Sequence, residues 1–164
     1  MSYIRENKTV YLSFGRKADL SRLFFNLLEK TYWAEQELLG VIAEMRSVSS
    51  SSELWDFFDL HHRQTLDHIR RLEDIFALWG RPPGGKTCYA MEGLLREIRQ
   101  LIHAPYDDNI RDIGLLLASR KIDYYEIIAY NTLNRLTAGI DFARYNSQED
   151  DAVRNLLSMY RFVN

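Results

Sequence analysis

The sequence predicts an all-α fold, an antiparallel bundle of four long helices with one short crossover helix, and three observations carry that prediction. Apolar residues recur at three- and four-residue spacing through most of the chain. No stretch alternates with period two for long enough to make a strand. Caps and helix breakers stand where a bundle needs its turns. With 164 residues, 46% of them hydrophobic and 13% aromatic, the chain has ample core for a single domain over 1–164. Residues 1–18 are expected to be extended or poorly ordered.

The first helix begins after Asp19 as N-cap and carries Leu20, Leu23, Phe24, Leu27, Leu28, Thr31, Leu38, Ile42 and Met45 on one stripe. It fades into the serine run between Arg46 and Ser52. Ser50, followed three residues later by Glu53, reads as a capping box, and a second helix runs from there through Leu54, Phe57, Phe58, Leu72, Ile75, Phe76 and Trp79. Gly80-Arg-Pro-Pro-Gly-Gly85 stops it. A shorter amphipathic helix is expected from about Cys88 to His103, ended by Pro105. From about Asp108 to Gly139 a fourth helix carries Ile113, Leu116, Leu117, Ile122, Ile127, Leu133 and Leu136. A last helix opens near Ser147 and runs through Val153, Leu156, Leu157 and Tyr160.

Charge and cysteine usage narrow the function classes. A formal net charge of −2 gives no basic field, so neither nucleic acid nor an anionic membrane is expected as a partner. The N-terminus lacks a signal-type apolar core, and no apolar run approaches the roughly 20 residues of a membrane span, so a cytoplasmic protein is expected. Cys88 is the single cysteine, which excludes an intrachain disulfide and a cysteine-based zinc site within one chain.

Polar residues break the apolar stripes of three helices. Glu35 falls on the apolar stripe of the first helix, where a lone carboxylate is costly unless a cation, a hydrogen bond or a proton compensates it. The second helix continues from Phe57 and Phe58 onto His61, Gln64, Thr65 and His68 before returning to Leu72. Gln64 and His68, four apart, share a face. In the fourth helix Glu126 interrupts the line Leu115, Ser119, Ile122, Ala129, Leu133. Carboxylates from two helices with carboxylate-plus-histidine pairs from two others make the arrangement that holds two iron or manganese ions in a bundle.

The stretches Tyr32-Trp-Ala-Glu-Gln-Glu-Leu38, Phe58-Asp-Leu-His-His-Arg-Gln-Thr65 with His68-Ile-Arg-Arg-Leu-Glu73, Cys88-Tyr-Ala-Met-Glu-Gly-Leu94 and Tyr125-Glu-Ile-Ile-Ala-Tyr130 with Thr132-Leu133 resemble the bacterial ferritin-like family that includes YciE and YciF. The resemblance covers the chain from about Leu20 to the end. It implies a ferritin-like bundle, dimeric, associated with stress response and without a firmly established reaction. By the same resemblance Glu35, His68 and Glu126 keep the family's ligand positions, whereas Gln64 replaces a glutamate and Tyr124 a histidine. In the last helix Glu149 and Asp150 align with a pair of glutamates, and Arg154 with an acid.

Those departures leave two readings. In the first, Glu35, His68 and Glu126, with Gln64 and Asp150 as weaker contributors, bind a single iron or manganese ion for oxidative or iron-handling chemistry. In the second, a full dinuclear site has been lost: two divalent ions need about four carboxylates, and Arg154 instead supplies an ion pair. The protein is then a cofactor-free structural or interaction homodimer. This charge count favours the second reading. Several residues also have a purely structural role open to them: His61 as a boundary histidine, Asp150 as a capping acid after Ser147, and Tyr124, Tyr125, Tyr130, Trp33 and Trp79 as core and interface. Cys88 reads as a small packed side chain at a helix start.

Overall fold

The structure, a computed structural model, describes residues 17–139. The expected last helix, with Glu149, Asp150 and Arg154, lies outside the described residues, as does the segment 1–16. Four helices follow one another without a strand among the described residues: α1 (Lys17–Val48), α2 (Ser52–Leu78), α3 (Tyr89–His103) and α4 (Asp108–Gly139). The 15-residue α3 is about half the length of the others, as its short amphipathic pattern predicts.

The helix ends follow from local hydrogen bonding. Asp19 lies inside the first turn of α1, where an acid complements the helix dipole, rather than capping it. The N-cap of α2 is Ser51 and not Ser50: the Ser51 hydroxyl accepts from the Leu54 N–H at 3.2 Å. Ser50 is diverted to the start of α4, its hydroxyl 2.6 Å from Asp112 Oδ2, and so ties the α1–α2 turn to the fourth helix. At the other end of α2 the Gly80 N–H bonds the Ala77 carbonyl and the Arg81 N–H bonds the Phe76 carbonyl. That Schellman pattern needs a left-handed residue, and Gly80 supplies it with φ 62°.

α1 is the central element, packed against α2, α3 and α4 alike. Two apolar clusters fill the interior. One joins Phe24 and Leu28 of α1 to Leu72 and Phe76 of α2 and Leu133 of α4. The other joins Leu38 and Ile42 of α1 to Phe58 of α2, Met91 and Ile98 of α3, and Leu115 and Ile122 of α4.

Two expectations about the buried faces need correction. On α4 the interior line is Leu115, Ala118, Ser119, Ile122, Glu126, Tyr130 and Leu133, while Ile113 is 56% and Leu117 62% exposed, with Leu116 also on the surface. α4 carries apolar residues on two faces, and periodicity alone does not say which of them α1 and α3 cover. Leu23 and Phe57 likewise lie at the edge of their stripes and are exposed. No helix among the described residues is long and apolar enough to cross a membrane.

Candidate metal centre

A polar belt crosses the interior between the two apolar clusters. Glu35, at the middle of α1, is 2% exposed, and Glu126 of α4 is 3% exposed. The helical repeat puts both there: Glu35 lies four and seven residues from Thr31 and Leu28, and Glu126 four residues from Ile122 and Tyr130, all of them buried. From α2, His61, Thr65 and His68 recur at four- and three-residue spacing, so they project from one face into the same layer.

Glu35, His68 and Glu126 come together, each offering a donor atom within 4.8 Å of the other two. His68 Nδ1 lies 3.5 Å from Glu35 Oε2. On the other carboxylate oxygen, the Tyr130 hydroxyl donates to Glu35 Oε1 at 2.8 Å. His61 Nε2 is 3.9 Å from Glu126 Oε2. The three principal ligand candidates read from the sequence are thus in one place. Gln64 is half-buried, and Thr65 takes the fully buried position next to it.

Burial governs the charge states. It pushes the Glu35 carboxyl up to about 7, against the opposing pull of the Tyr130 hydroxyl and the nearby Glu126 carboxyl. His68 is lowered to about 4, mainly by burial, with Glu126 acting in the other direction. His61 is also lowered to about 4, by burial and then by His68. At neutral pH both imidazoles are therefore uncharged, so their contacts with the glutamates are not ion pairs. A neutral imidazole is also the form that ligates a metal.

The residues fit a metal on two counts. Glu35 Oε2 is buried and accepts no hydrogen bond among the described residues, an expensive arrangement for a carboxylate unless something electropositive faces it. The donor set of two carboxylates and one imidazole suits iron or manganese rather than calcium or magnesium, which prefer oxygen throughout. Thr65 Oγ1 and Ser119 Oγ are further buried oxygens without a partner among the described residues.

Sequence reading did not single out some of the belt. Tyr130, counted with the core and interface aromatics, holds Glu35 by hydrogen bond. Asp123 escaped notice, although it stands three residues before Glu126 and hence on the same side of α4; it is half-buried, and burial raises its pKa while Arg120 opposes the rise. Cys88 is buried as expected, but its Sγ lies 2.8 Å from Tyr125 Oη. Tyr125 in turn feels the charge of Glu35 and Glu126, which adds to burial and Cys88 in raising its pKa.

Comparison with known proteins places the chain in context. The family described as "Domain of unknown function (DUF892)" matches residues 19–156. Protein YciF of Escherichia coli (strain K12) is 29% identical over 123 residues, 74% of each chain. The crystal structure described as that of the E. coli stress protein YciF matches with a TM-score of 0.71 at 27% identity, covering 85% of this chain and 92% of the other. YcfI of Rhodopseudomonas palustris, provisionally described as a structural protein, matches with a TM-score of 0.71 at 25% identity over 87% and 95% of the two chains.

Proposed function

The chain belongs to the DUF892 family, with a ferritin-like helical bundle of YciF type, and from that premise we propose that it is a metal-binding, stress-associated protein. Its resident cation, iron or manganese, is held in the bundle interior by Glu35, His68 and Glu126. The observation that carries this reading is the convergence of two buried carboxylates and a half-buried imidazole from three helices, with His68 Nδ1 3.5 Å from Glu35 Oε2. Two carboxylates balance one divalent ion, so a single ion needs neither a glutamate at position 64 nor an acid at position 154. The stress association comes from the description of the E. coli relative.

The bound cation supplies Lewis acidity, and for iron or manganese also redox capacity. The chain's own groups prepare the site. Tyr130 fixes one oxygen of Glu35 and leaves the other turned toward His68. The surrounding apolar clusters exclude water, keep the imidazoles neutral and hold a proton on Glu35 up to about pH 7, so that binding releases that proton at neutral pH.

A second observation favours self-association. Opposite its buried line, α4 presents Ile110, Ile113, Leu117, Tyr124 and Ile128, all exposed. Counting Lys121, whose ammonium is drawn aside to Glu97 at 2.8 Å, successive members of this face are three or four residues apart. That is the pattern of a helix seam. With Tyr106 and Leu116 the patch comprises seven large side chains; at on the order of 100 Å² each, it approaches the roughly 800 Å² per partner of a standard interface. We read the protein as a homodimer through this face. Light scattering is expected to report a dimer, and Leu117→Asp a monomer.

Elemental analysis after purification without chelator, followed by equilibrium dialysis against manganous ion, tests the metal reading. Bound iron or manganese that is lost in Glu35→Gln supports it. A wild-type protein that takes up no metal by either route favours the metal-free homodimer instead.

A further inference from the structure

We propose that a groove between the first turns of α1 and the α2–α3 connection binds a phosphate ester of nucleotide size. Arg22, Arg81 and Lys86 hold its phosphate, and Asp19 and Glu29 accept hydrogen bonds from its hydroxyl-bearing part.

The helical repeat assembles one wall of the groove. Asp19, Arg22, Asn26 and Glu29 are three, four and three residues apart, so they share a face of α1. The connection Gly80-Arg-Pro-Pro-Gly-Gly-Lys-Thr87 makes the other wall and is held at both ends. The Arg81 N–H bonds the Phe76 carbonyl of α2, and the Lys86 N–H reaches the Glu29 carbonyl of α1 at 3.1 Å. Pro82 and Pro83 stiffen the span between them. Gly85 lets that span lie against α1, since a Cβ there would come within 3.3 Å of Trp33 Cβ. The two walls bound a groove of about 840 Å³, within the roughly 300–1,000 Å³ of small-ligand sites and far larger than a bare phosphate ion.

The cations of this groove are set apart by how little carboxylate neutralises them. Elsewhere Arg46, Arg63, Arg99 and Arg111 each face an acid. Arg81 instead lies over the Phe25 ring, 3.7 Å from its centroid, with no carboxylate partner among the described residues. Stacking fixes the guanidinium plane and leaves its N–H edges to a ligand. The Lys86 ammonium spends one of its three donors on Asn26 Oδ1 at 2.6 Å. Arg22 has a loose, exposed pair with Asp19 at 3.6 Å, which stabilises little. Three cations against two carboxylates leave the groove positive in a chain of net charge −2. Cations held in place in this way suit a phosphate, which arginine grips bidentately and lysine as a point charge.

The acids narrow the ligand further. A bare anion gains nothing from Asp19 and Glu29, whereas the hydroxyls of a sugar donate to carboxylates. Leu23, 42% exposed on the same groove, offers an apolar surface to the rest of the molecule. The connection also has the spacing of a phosphate-binding loop, a glycine followed after four residues by Gly-Lys-Thr. It follows a helix and not a strand, and Gly80 alone among the described residues has a positive φ. The backbone therefore forms no such cradle, and recognition falls to the side chains.

Calorimetric titration of the purified full-length chain tests this with ADP, ribose 5-phosphate and inorganic phosphate, in chelator so that no ion in the belt contributes. One ADP is expected to bind per chain, more weakly as salt is raised. Ribose 5-phosphate is expected to bind as well, and inorganic phosphate at least about 10-fold more weakly than either. ADP bound tighter than ribose 5-phosphate identifies the ester as a nucleotide, and equal affinities identify it as a sugar phosphate. Arg22→Gln, Arg81→Gln and Lys86→Gln are each expected to weaken ADP by about 10-fold, the loss of one charge-assisted contact. Arg99→Gln, on α3 and paired with Glu44, is expected to leave it unchanged. Circular dichroism checks that each variant is folded, and the exposed Arg22 decides the matter should Arg81→Gln or Lys86→Gln fail to fold. A folded wild type that binds neither ester at millimolar concentration overturns the proposal. So does ADP binding retained in full by the groove variants, and so does inorganic phosphate bound as tightly as the esters.

Discussion

The polar belt and the apolar clusters on either side of it are built on the same helices and the same inward faces, and yet they answer to different demands. In the cluster around Phe24 and Phe76, side chains from α1, α2 and α4 fill space, and the hydroxyls of Tyr32 and Tyr130 at its margin are satisfied by Glu73 and Glu35. One to three turns further along, the same faces present Glu35, His61, Thr65, His68, Ser119 and Glu126, all buried or nearly so, and the hydroxyls of Thr65 and Ser119 make no hydrogen bond among the described residues. Apolar residues of similar volume at these positions would make a more stable bundle. The difference teaches that the clusters hold the fold, while the belt costs stability that only the proposed ion would offset.

The largest effects should separate the two regions. Phe24→Ala and Phe76→Ala, which remove wholly buried rings, are expected to destabilise by about 3–5 kcal/mol in urea unfolding, with or without metal. Glu35→Gln in chelator keeps the shape and removes a charge that burial disfavours, so it should change stability by less than about 1 kcal/mol or raise it. A loss for Glu35→Gln as large as for the phenylalanines would abolish the distinction.

Acid titration sharpens it. His61 and His68 are lowered to about 4 in the fold, from 6.5. The unfolded chain therefore binds more protons between those values, and stability falls as pH drops from 6.5 toward 4. Glu35, raised to about 7 from 4.5, acts in the opposite sense, because the folded state binds the extra proton and stability falls as pH rises from 4.5 to 7. Two histidines outweigh one glutamate below 6.5, so stability there rises with pH. Above 6.5 only Glu35 contributes, so the metal-free protein should be most stable near pH 6.5. In a double His61→Gln, His68→Gln variant the rise below 6.5 should disappear; its persistence would mean that the belt histidines are not the groups titrating.

How much of this was legible beforehand depended on the kind of signal. Glu35 and Glu126 stood out because each broke a strong apolar stripe, and Gly80 because only a left-handed residue ends α2 as observed. The choice between the two apolar faces of α4 was not legible, since Leu117 and Leu115 satisfy helical periodicity equally well and only the packing of α1 and α3 decides. Ser50 and Ser51 are equally good caps by composition; the contact of Ser50 with Asp112, 62 residues away, decided between them. Asp123 was hidden for another reason. It lies at the margin of the buried face of α4, among charged neighbours, where an acid looks like ordinary surface. The proximity of Cys88 and Tyr125 is a tertiary fact with no local pattern to announce it.

Smaller perturbations probe the belt from within. Tyr130→Phe removes the donor to Glu35 Oε1 and should lower apo stability by about 1 kcal/mol. Its effect on manganese affinity should be larger, a loss of about 10- to 100-fold, because an outer partner that orients a ligand is removed. Thr65→Val replaces a buried hydroxyl that has no partner among the described residues, and calorimetry should find it within about 1 kcal/mol of the parent.

The central claim, that the belt is retained for an ion and not for stability, is tested most directly by four melting curves: the parent and Glu35→Gln, each in chelator and in manganous ion. The parent should gain stability with metal, about 2.7 kcal/mol at 100 times the dissociation constant. Glu35→Gln should melt at or above the parent in chelator and respond little to metal. A parent indifferent to manganese, together with a Glu35→Gln variant several kcal/mol less stable in chelator, would contradict the claim and make the belt a structural network.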